Sequence, residues 1–412
     1  MGDLVDNREP LMVNIYLADK DRNIRLIRWL LKSICLWPRS SNASIVDRVF
    51  SELSRLTCFS LLFITVLSIG LDVFVEEHED VNSMMANIGP FITFLMALLK
   101  YTCLVLHVDD IRNCVHCIEL DWNTVRSNKD HEVMLRDGKI GRFMAIFIAA
   151  FMHSSVQSYN VSRCLKEYII EVDNVNVSLR ELPYPFYSKI LDARFSPAYE
   201  IVSIMHFVSS FIVSGVTSVN CGLMAIFVMH ACGQLKILTL WLDDIVHDSD
   251  IVDDKIVQRK LGFIVEHHLR VISFVSYIEE AIYLTCLVEL VGGSLTLCIL
   301  GYSSITAWNQ DETESILTYC VIALSFTLNI FIICYIAEIL SEQYKRVGLA
   351  TYMTEWYRLP PKTALGLLLI NLRCNFNVNL NAGKMIELSL YTFGNVLKAS
   401  VAYLNMLRQV IS

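Results

Sequence analysis

The heptapeptide Leu61-Leu62-Phe63-Ile64-Thr65-Val66-Leu67 carries no charged side chain and lies near the middle of an apolar segment over residues 52–75. A helix needs about 20 largely apolar residues to cross the hydrocarbon layer of a membrane. The segment therefore predicts a membrane-spanning helix, and it sets the criterion for searching the rest of the chain.

Six further segments meet that criterion, and they cover residues 83–107, 139–158, 198–230, 270–304, 315–340 and 384–407. Pro90 predicts a kink in the second span, and Gly292-Gly293 predicts an interruption of the fifth. The seventh span is the most polar. The sequence thus predicts an all-α membrane protein with seven transmembrane helices.

The composition excludes several other classes of protein. Of 412 residues, 54% are hydrophobic and 18% are charged, whereas a soluble domain has about 25% charged residues. A net charge of -8 makes nucleic acid an unsuitable partner. The 13 cysteines are odd in number and mostly lie in apolar runs, which favours free thiols. The chain lacks the GxxxxGK[ST], HExxH and GxSxG motifs, and Cys114-Val115-His116-Cys117 has no second metal-ligand pair, so we expect no enzyme, metal or cofactor.

The distribution of lysine and arginine among the loops indicates how the spans are oriented, because short cytoplasmic loops are enriched in both residues. They concentrate in residues 1–50, 108–138, 231–269 and 341–383, whereas residues 76–82 and 306–314 are acidic and contain neither. The amino terminus is predicted to be cytoplasmic and the carboxyl terminus extracellular. The sequons at Asn160 and Asn176 then fall in an extracellular loop, 159–197, and are candidate glycosylation sites.

The fourth, fifth and sixth helices continue beyond the membrane, because apolar residues keep helical spacing over 235–245 and 256–272 and on towards residue 344. These extensions predict a cytoplasmic anchor layer; separate surface helices are the alternative. The expected order is a cytoplasmic segment 1–50, helices 1–4 over 51–230, a cytoplasmic extension 231–269, helices 5–6 over 270–346, an anchor segment 347–383 and helix 7 over 384–412.

The last 65 residues contain the most specific motifs: Trp356-Tyr357-Arg358-Leu359-Pro360, then Leu380-Asn381-Ala382-Gly383-Lys384, and finally Ala402-Tyr403-Leu404-Asn405-Met406-Leu407-Arg408. This ending resembles that of insect odorant receptors, in which Ser-Tyr is common where this chain has Ala402-Tyr403. Span number, orientation and length fit the same family. The chain lacks the long insertion between spans four and five of the shared co-receptor, so it resembles a ligand-tuning subunit.

The resemblance implies an odorant-gated, non-selective cation channel that forms tetramers with an odorant co-receptor in the plasma membrane of an olfactory sensory neuron dendrite. The last helix would line a central pore, with Met406, Gln409 and Val410 at its gate. The cytoplasmic helices would hold the subunits together, with Trp356 and Tyr357 in the anchor. The polar stripe of the last span suits a water-facing wall, and hydrogen bonding between helices is the alternative reading.

The family also implies a site for a small volatile ligand in the outer halves of spans two to six. Combined with the direction of each span, this predicts the ligand-binding residues Ile88, Phe91, Phe151, Ser154, Ser158, Met205, Ser209, Tyr319 and Ile322. Their mixture of apolar surface and few polar groups is typical of small-molecule sites. Core packing is the alternative role for each of them.

Three other classes remain as alternatives. A gustatory-type receptor channel would share the fold, but the ending lacks its Thr-Tyr-x-x-x-x-x-Phe motif. A G-protein-coupled chemoreceptor disagrees with the cytoplasmic amino terminus and with the absence of Asp-Arg-Tyr and Asn-Pro-x-x-Tyr. A secondary transporter built from duplicated halves disagrees with the lack of an internal repeat.

Overall fold

The computed structural model describes residues 21–411 except 23, 38–43, 77–80, 126, 173–174, 188, 190, 192, 194, 248–253 and 376–377. For 81–83, 168–172, 175–178, 246–247, 254 and 410–411 it describes the backbone alone. A short helix α1 covers 24–33. The longer helices are α2 (Ile45–Val75), α3 (Val81–Leu106), α4 (Val108–Thr124), α5 (Asn128–Cys164), α6 (Ala198–His247), α7 (Asp254–Asn309), α8 (Thr313–Met353), α9 (Pro361–Cys374) and α10 (Leu390–Ile411). Antiparallel hairpins join β1 (Glu167–Val172) to β2 (Val175–Arg180) and β3 (Asn381–Ala382) to β4 (Ile386–Glu387).

Six helices in the described part of the chain are long and apolar enough to cross a membrane, and they are α2, α3, α5, α6, α7 and α8. The seventh predicted span corresponds to α10, which has 22 residues and is amphipathic. The predicted interruption at Gly292-Gly293 is wrong, because α7 is continuous there. The two glycines instead allow close packing: a Cβ on Gly293 would lie 2.8 Å from Ile330 of α8.

Helix α6 forms the centre of the bundle. Every residue from Ile212 to Leu235 is buried, and α6 packs against α5, α7 and α8. A helix that is apolar on all sides is stable only when neighbours cover it completely. The other long helices therefore surround α6, and the main core lies along its length.

Three helices are longer than a membrane requires. Helices α6, α7 and α8 have 50, 56 and 41 residues, and at 1.5 Å per residue each exceeds the roughly 30 Å of the hydrocarbon layer. Their extensions pack with α4 and α9 at one end of the molecule, the α9 end. The opposite end carries the β1–β2 hairpin and is called the hairpin end, a name that refers to this hairpin alone. The predicted helical layer is thus present, and it includes α4, which lies where a loop over 108–138 was expected.

The motif Leu380-Asn381-Ala382-Gly383-Lys384 forms the small hairpin β3–β4, so the last helix does not begin at residue 384 as predicted. Gly383 and Lys384 have φ values of 61° and 57°, and a Cβ on Gly383 would lie 2.6 Å from Leu287 of α7. Lys384 Nζ contacts Glu280 Oε1 of α7 at 2.6 Å. The β3–β4 hairpin is thus attached to α7. Helix α10 begins only after Ser389, whose hydroxyl accepts a hydrogen bond from the Thr392 amide.

Candidate functional site

A cavity lies between the helices of the bundle, towards the hairpin end. Its walls come from α3, α5, α6, α7 and α8 and from the segment between β2 and α6. The lining residues are Ala86, Gly89, Pro90, Thr93, Phe94, Val156, Tyr159, Tyr184, Val213, Thr296, Ile299, Leu300, Ser303, Tyr319, Ile322 and Phe326. Most of this lining is apolar or aromatic, with a few hydroxyl groups. Such a lining suits a small apolar ligand that carries few polar groups.

Tyr184 forms one wall of the cavity, although it belongs to an irregular segment outside the long helices. Its ring meets Phe94 of α3 edge to face, with centroids 4.8 Å apart. It stacks on Tyr159 of α5 at 5.7 Å, and on its other side it faces His206 of α6 at 5.5 Å. The segment between β2 and α6 therefore closes the cavity with an aromatic side chain.

Two ion pairs lie beside the cavity at the hairpin end. Arg163 of α5 contacts Glu181 at 2.8 Å, and Lys166 contacts Glu312 at 3.1 Å. Hydrogen bonds from Ser315 and Lys166 lower the pKa of the Glu312 carboxyl. These partly exposed pairs connect the end of α5 to the β2–α6 segment and to the start of α8. They form a polar rim around the end of the bundle.

The structure brings only part of the predicted ligand site to the cavity. Tyr319 and Ile322 line it, whereas the other seven predicted residues do not. Phe91 packs against Phe74 of α2 at 5.5 Å, and Phe151 stacks on Phe147 of its own helix. Ser154 and Ser158 donate to carbonyl groups of α5. Ile88 packs against the core, Met205 is half-buried, and Ser209 accepts a hydrogen bond from Thr65.

Sequence reasoning missed the cavity face of α7 (Thr296, Ile299, Leu300 and Ser303) and Tyr184. On α3 and α5 the correct helices were chosen, but the predicted faces were rotated from the cavity. On α3 apolar residues surround the helix, and on α5 the polar Ser155 and Asn160 are buried while the apolar Phe143 and Phe147 are exposed, so hydrophobic spacing does not identify the inward face. On α3 the available signal in the sequence was Gly89-Pro90, which lines the cavity. A glycine has no side chain and a proline kinks a helix, and both leave space beside the helix.

A buried charge network lies below the cavity, on its side towards the α9 end. Lys100 Nζ of α3 contacts Glu289 Oε2 of α7 at 2.5 Å and Thr217 Oγ1 of α6 at 3.1 Å. The Asn329 amide of α8 donates to Glu289 Oε1 at 2.7 Å. Lys100 and Glu289 are 1% and 0% exposed. The network therefore joins four of the helices that form the cavity.

Helices α7 and α8 separate the cavity from α10. Leu300 lines the cavity, while a Cβ on the adjacent Gly301 would lie 2.9 Å from Leu404 of α10. On α8, Phe326 lines the cavity and Phe331 meets Phe393 of α10 edge to face at 5.4 Å. The opposite side of α10 is exposed and includes a polar stripe of Asn395, Lys398, Asn405 and Gln409.

The predicted gate and anchor residues do not line the cavity. Met406 is 65% exposed and Gln409 is exposed on α10, while the side chain of Val410 lies outside the described residues. Trp356 and Tyr357 form an exposed 3-10 turn after α8. Trp356 lines an apolar groove with residues of α8 and α9, including Tyr352, Leu365 and Leu368.

The structure corrects the prediction that Asn160 is a glycosylation site in a loop. Asn160 lies in the last turns of α5, is 0% exposed and donates to Ser210 of α6. A glycan requires an accessible side chain, so this position is unsuitable. Asn176 lies on β2, and its side chain is outside the described residues. Across the part of the chain that the structure describes, no three His, Cys, Asp or Glu side chains form a possible metal site.

Long apolar helices around a cavity near one end of the bundle define this molecule as a multi-pass helical membrane protein. The family model described as 7tm Odorant receptor matches residues 80–401. The chain therefore belongs to the odorant receptor family, whose members are receptors rather than enzymes.

Relatives and solved structures agree with this membership. Odorant receptor 10 of Aedes albopictus is 24% identical over 232 residues, which cover 56% of this chain and 61% of that one. Odorant receptor 82a of Drosophila melanogaster is 25% identical over 231 residues, covering 56% and 58%. The matched region thus spans about three fifths of each of these relatives. The insect olfactory receptor OR5 of Machilis hrabei superposes with a TM-score of 0.79 at 13% identity, covering 96% of this chain and 99% of that one. Its complex with eugenol gives 0.75 at 14% identity and the same coverage.

Proposed function

We propose that this chain is the ligand-tuning subunit of an odorant-gated, non-selective cation channel. The observation that carries the proposal is the cavity lined by α3, α5, α6, α7 and α8, because α7 and α8 also pack against α10. A small volatile ligand in the cavity would contact Tyr319, Ile322 and Leu300 directly. The complex of OR5 with eugenol supports a small-molecule site in this fold.

Ligand binding opens the channel through the helices that the cavity and α10 share. Leu300 and Gly301 are neighbours on α7, and they face the ligand and Leu404 respectively. A shift of α7 that accommodates a ligand therefore changes the packing of α10. A ligand stabilises the open state only to the extent that it binds that state more tightly.

The exposed polar stripe of α10 forms the pore wall when several subunits assemble around a central axis. A polar surface is unfavourable against lipid, whereas a water-filled pore would solvate it. The proposed gate comprises Met406, Gln409 and Val410 near the carboxyl end of this helix. The partner is an odorant co-receptor in a tetramer, in which the apolar groove beside Trp356 and Tyr357 is the assembly surface.

In this proposal the α9 end faces the cytoplasm and the hairpin end faces outward, at the plasma membrane of a sensory neuron dendrite. The orientation follows the bias of lysine and arginine towards cytoplasmic loops. It places the cavity in the outer half of the membrane, where a volatile ligand can reach it from outside.

The test is whole-cell current in cells that express the chain with and without an odorant co-receptor, recorded with a panel of volatiles while G-protein signalling is blocked. The proposal predicts a fast cation current that requires both chains. A response that disappears under the G-protein block would contradict the channel function. A current from this chain alone would contradict the requirement for a co-receptor.

A further inference from the structure

His206 of α6 is a buried polar side chain without a partner. It is 0% exposed, and neither ring nitrogen forms a hydrogen bond with any residue that the structure describes. A neutral imidazole offers one N–H donor and one acceptor nitrogen. Buried groups of this kind nearly always find partners, so an orphaned donor and acceptor beside a ligand cavity indicate an unfilled polar subsite.

The side chain of Tyr184 is the barrier between His206 and the cavity. Tyr184 lines the cavity, and its ring faces His206 at 5.5 Å and Phe94 at 4.8 Å. Its hydroxyl interacts with Ser210, one helical turn after His206 on α6. Because Tyr184 belongs to an irregular segment between β2 and α6, its side chain can move without breaking a long helix.

A second orphaned group lies in the same cluster. The Asn160 amide nitrogen donates to Ser210 and to the Gln157 side-chain oxygen, but the Asn160 Oδ1 atom has no partner among the described residues. The amide nitrogen of Gln157 is likewise buried and unpaired within that part of the chain. The region behind Tyr184 therefore has donors and acceptors available together.

The side chain that closes this region indicates what could replace it. Tyr184 places a hydroxyl next to Ser210 and an apolar ring next to the cavity. A ligand with the same arrangement has an apolar body and one hydroxyl group, which both donates and accepts hydrogen bonds. A carboxylate is less suited, because neither His206 nor Asn160 carries a fixed positive charge.

We propose that His206, Asn160 and Ser210 form a polar subsite behind Tyr184 that receives the hydroxyl group of an alcohol odorant. This inference rests on the proposed function, and it adds the chemical class of the ligand. The apolar part of the odorant occupies the cavity, and the hydroxyl reaches His206 when Tyr184 moves aside. The subsite makes the receptor selective for alcohols over hydrocarbons with the same carbon skeleton.

The experiment compares three pairs of odorants on cells that express the chain with an odorant co-receptor: benzyl alcohol with toluene, cyclohexanol with cyclohexane, and octanol with octane. In the wild-type receptor we expect at least one alcohol to act at a concentration about tenfold lower than its hydrocarbon, which equals a difference of about 1.4 kcal/mol. In His206→Phe, we expect the half-maximal concentration of that alcohol to rise about tenfold. The response to the hydrocarbon should change by less than about twofold.

The matched control is His153→Phe. His153 lies in α5, and its Nδ1 atom already bonds the Ala149 carbonyl at 2.8 Å, so this variant should leave the alcohol preference unchanged. Surface labelling establishes that each variant reaches the membrane. The wild-type comparison needs no variant, so equal potency of both members of every pair would still overturn the subsite if His206→Phe does not reach the surface.

Two results would overturn the subsite: equal potency of both members of every pair, or an equal shift of both members in His206→Phe. Currents evoked by esters or hydrocarbons but by none of the three alcohols would also overturn it, while leaving the proposed channel function intact. Silence towards all volatiles in a correctly delivered receptor would contradict the proposed function itself, and with it the subsite.

Discussion

The buried pair Lys100–Glu289 permits a direct test of how the helices below the cavity are held together. The substitution Lys100→Met removes an ammonium group that lies 2.5 Å from the Glu289 carboxylate. The side chains of Lys100 and Glu289 are 1% and 0% exposed. Glu289 would keep the hydrogen bond from Asn329, but its charge would remain in an apolar environment. Breaking such a pair by removing one partner costs about 3–5 kcal/mol.

Replacing both partners should cost much less, because Lys100→Met combined with Glu289→Met removes both desolvated charges. A buried ion pair is often no more stabilising than well-packed apolar side chains of similar volume. The double variant should therefore recover most of the stability lost in either single variant, with a coupling energy of about 3 kcal/mol or more.

The assay is the apparent melting temperature of each variant in detergent, followed by size-exclusion chromatography of the remaining folded fraction. Unfolding of a protein of this size is commonly irreversible, so all variants are heated at one rate and their order is compared. Lys139→Met, at an exposed position of α5, is the control and should match the wild type. Additive losses in the double variant would refute the coupling.

Three further predictions concern the cavity, the α9 end and the pore. Tyr319→Ala should change the relative potencies of a panel of volatiles by about tenfold or more, because it enlarges the cavity. The control is Leu317→Ala, at a position that is 66% exposed on the same helix, and it should leave dose–response curves unchanged. Burial lowers the pKa of His268 to about 4, below its ordinary value of 6.5. The unfolded chain therefore takes up the proton first, and the free energy of unfolding falls by up to about 1.4 kcal/mol for each pH unit between those values. Melting curves from pH 7 to pH 5 should show a weaker loss of stability in His268→Phe than in the wild type, and equal slopes would contradict this cause. Lys398→Gln should raise single-channel cation conductance, because it removes a positive charge from the exposed face of α10; unchanged conductance would indicate that this face lies outside the pore.

The spacing of apolar residues predicted the long helices, because apolar residues recur at helical spacing along their whole length. Apolar residues continue at helical spacing over 235–245 and 256–272, and helices α6 and α7 include both segments. The extent of the helical layer at the α9 end was therefore accessible from the sequence. Helix α4 was missed because the search looked for long apolar spans, although Ile111, Cys114, Val115, Ile118 and Trp122 recur at helical spacing and are buried.

The β3–β4 hairpin depends on contacts with residues that are distant in the sequence, and a local sequence pattern does not show such contacts. The left-handed backbone at Gly383 and Lys384 is stabilised by contacts with Tyr283, Glu280 and Leu287 of α7, about 100 residues earlier in the chain. A sequence reading recognised the motif but began the last helix at its final residue, Lys384. Asn160 illustrates the same limit, since its burial against Ser210 is a tertiary contact that a sequon does not reveal.

The candidate ligand site was predictable at the level of helices and less so at the level of residues. Tyr319 and Ile322 line the cavity as expected. On α3 apolar residues surround the helix, and on α5 polar residues are buried while several apolar ones are exposed. The inward face of each helix is therefore fixed by its packing, that of α3 against α7 and that of α5 against α6. Tyr184 enters the cavity from a segment without helical or strand periodicity, and its role is a property of the folded chain.

The central claim is that one membrane protein complex both binds the odorant and conducts the ions. The most direct test is an outside-out patch, excised from a cell that expresses this chain with an odorant co-receptor and bathed in a solution without cytosol or GTP. The account predicts that an odorant pulse opens cation channels within milliseconds and that Tyr319→Ala alters the concentration required. Loss of the response on excision, with recovery only when GTP and cytosol are restored, would contradict it.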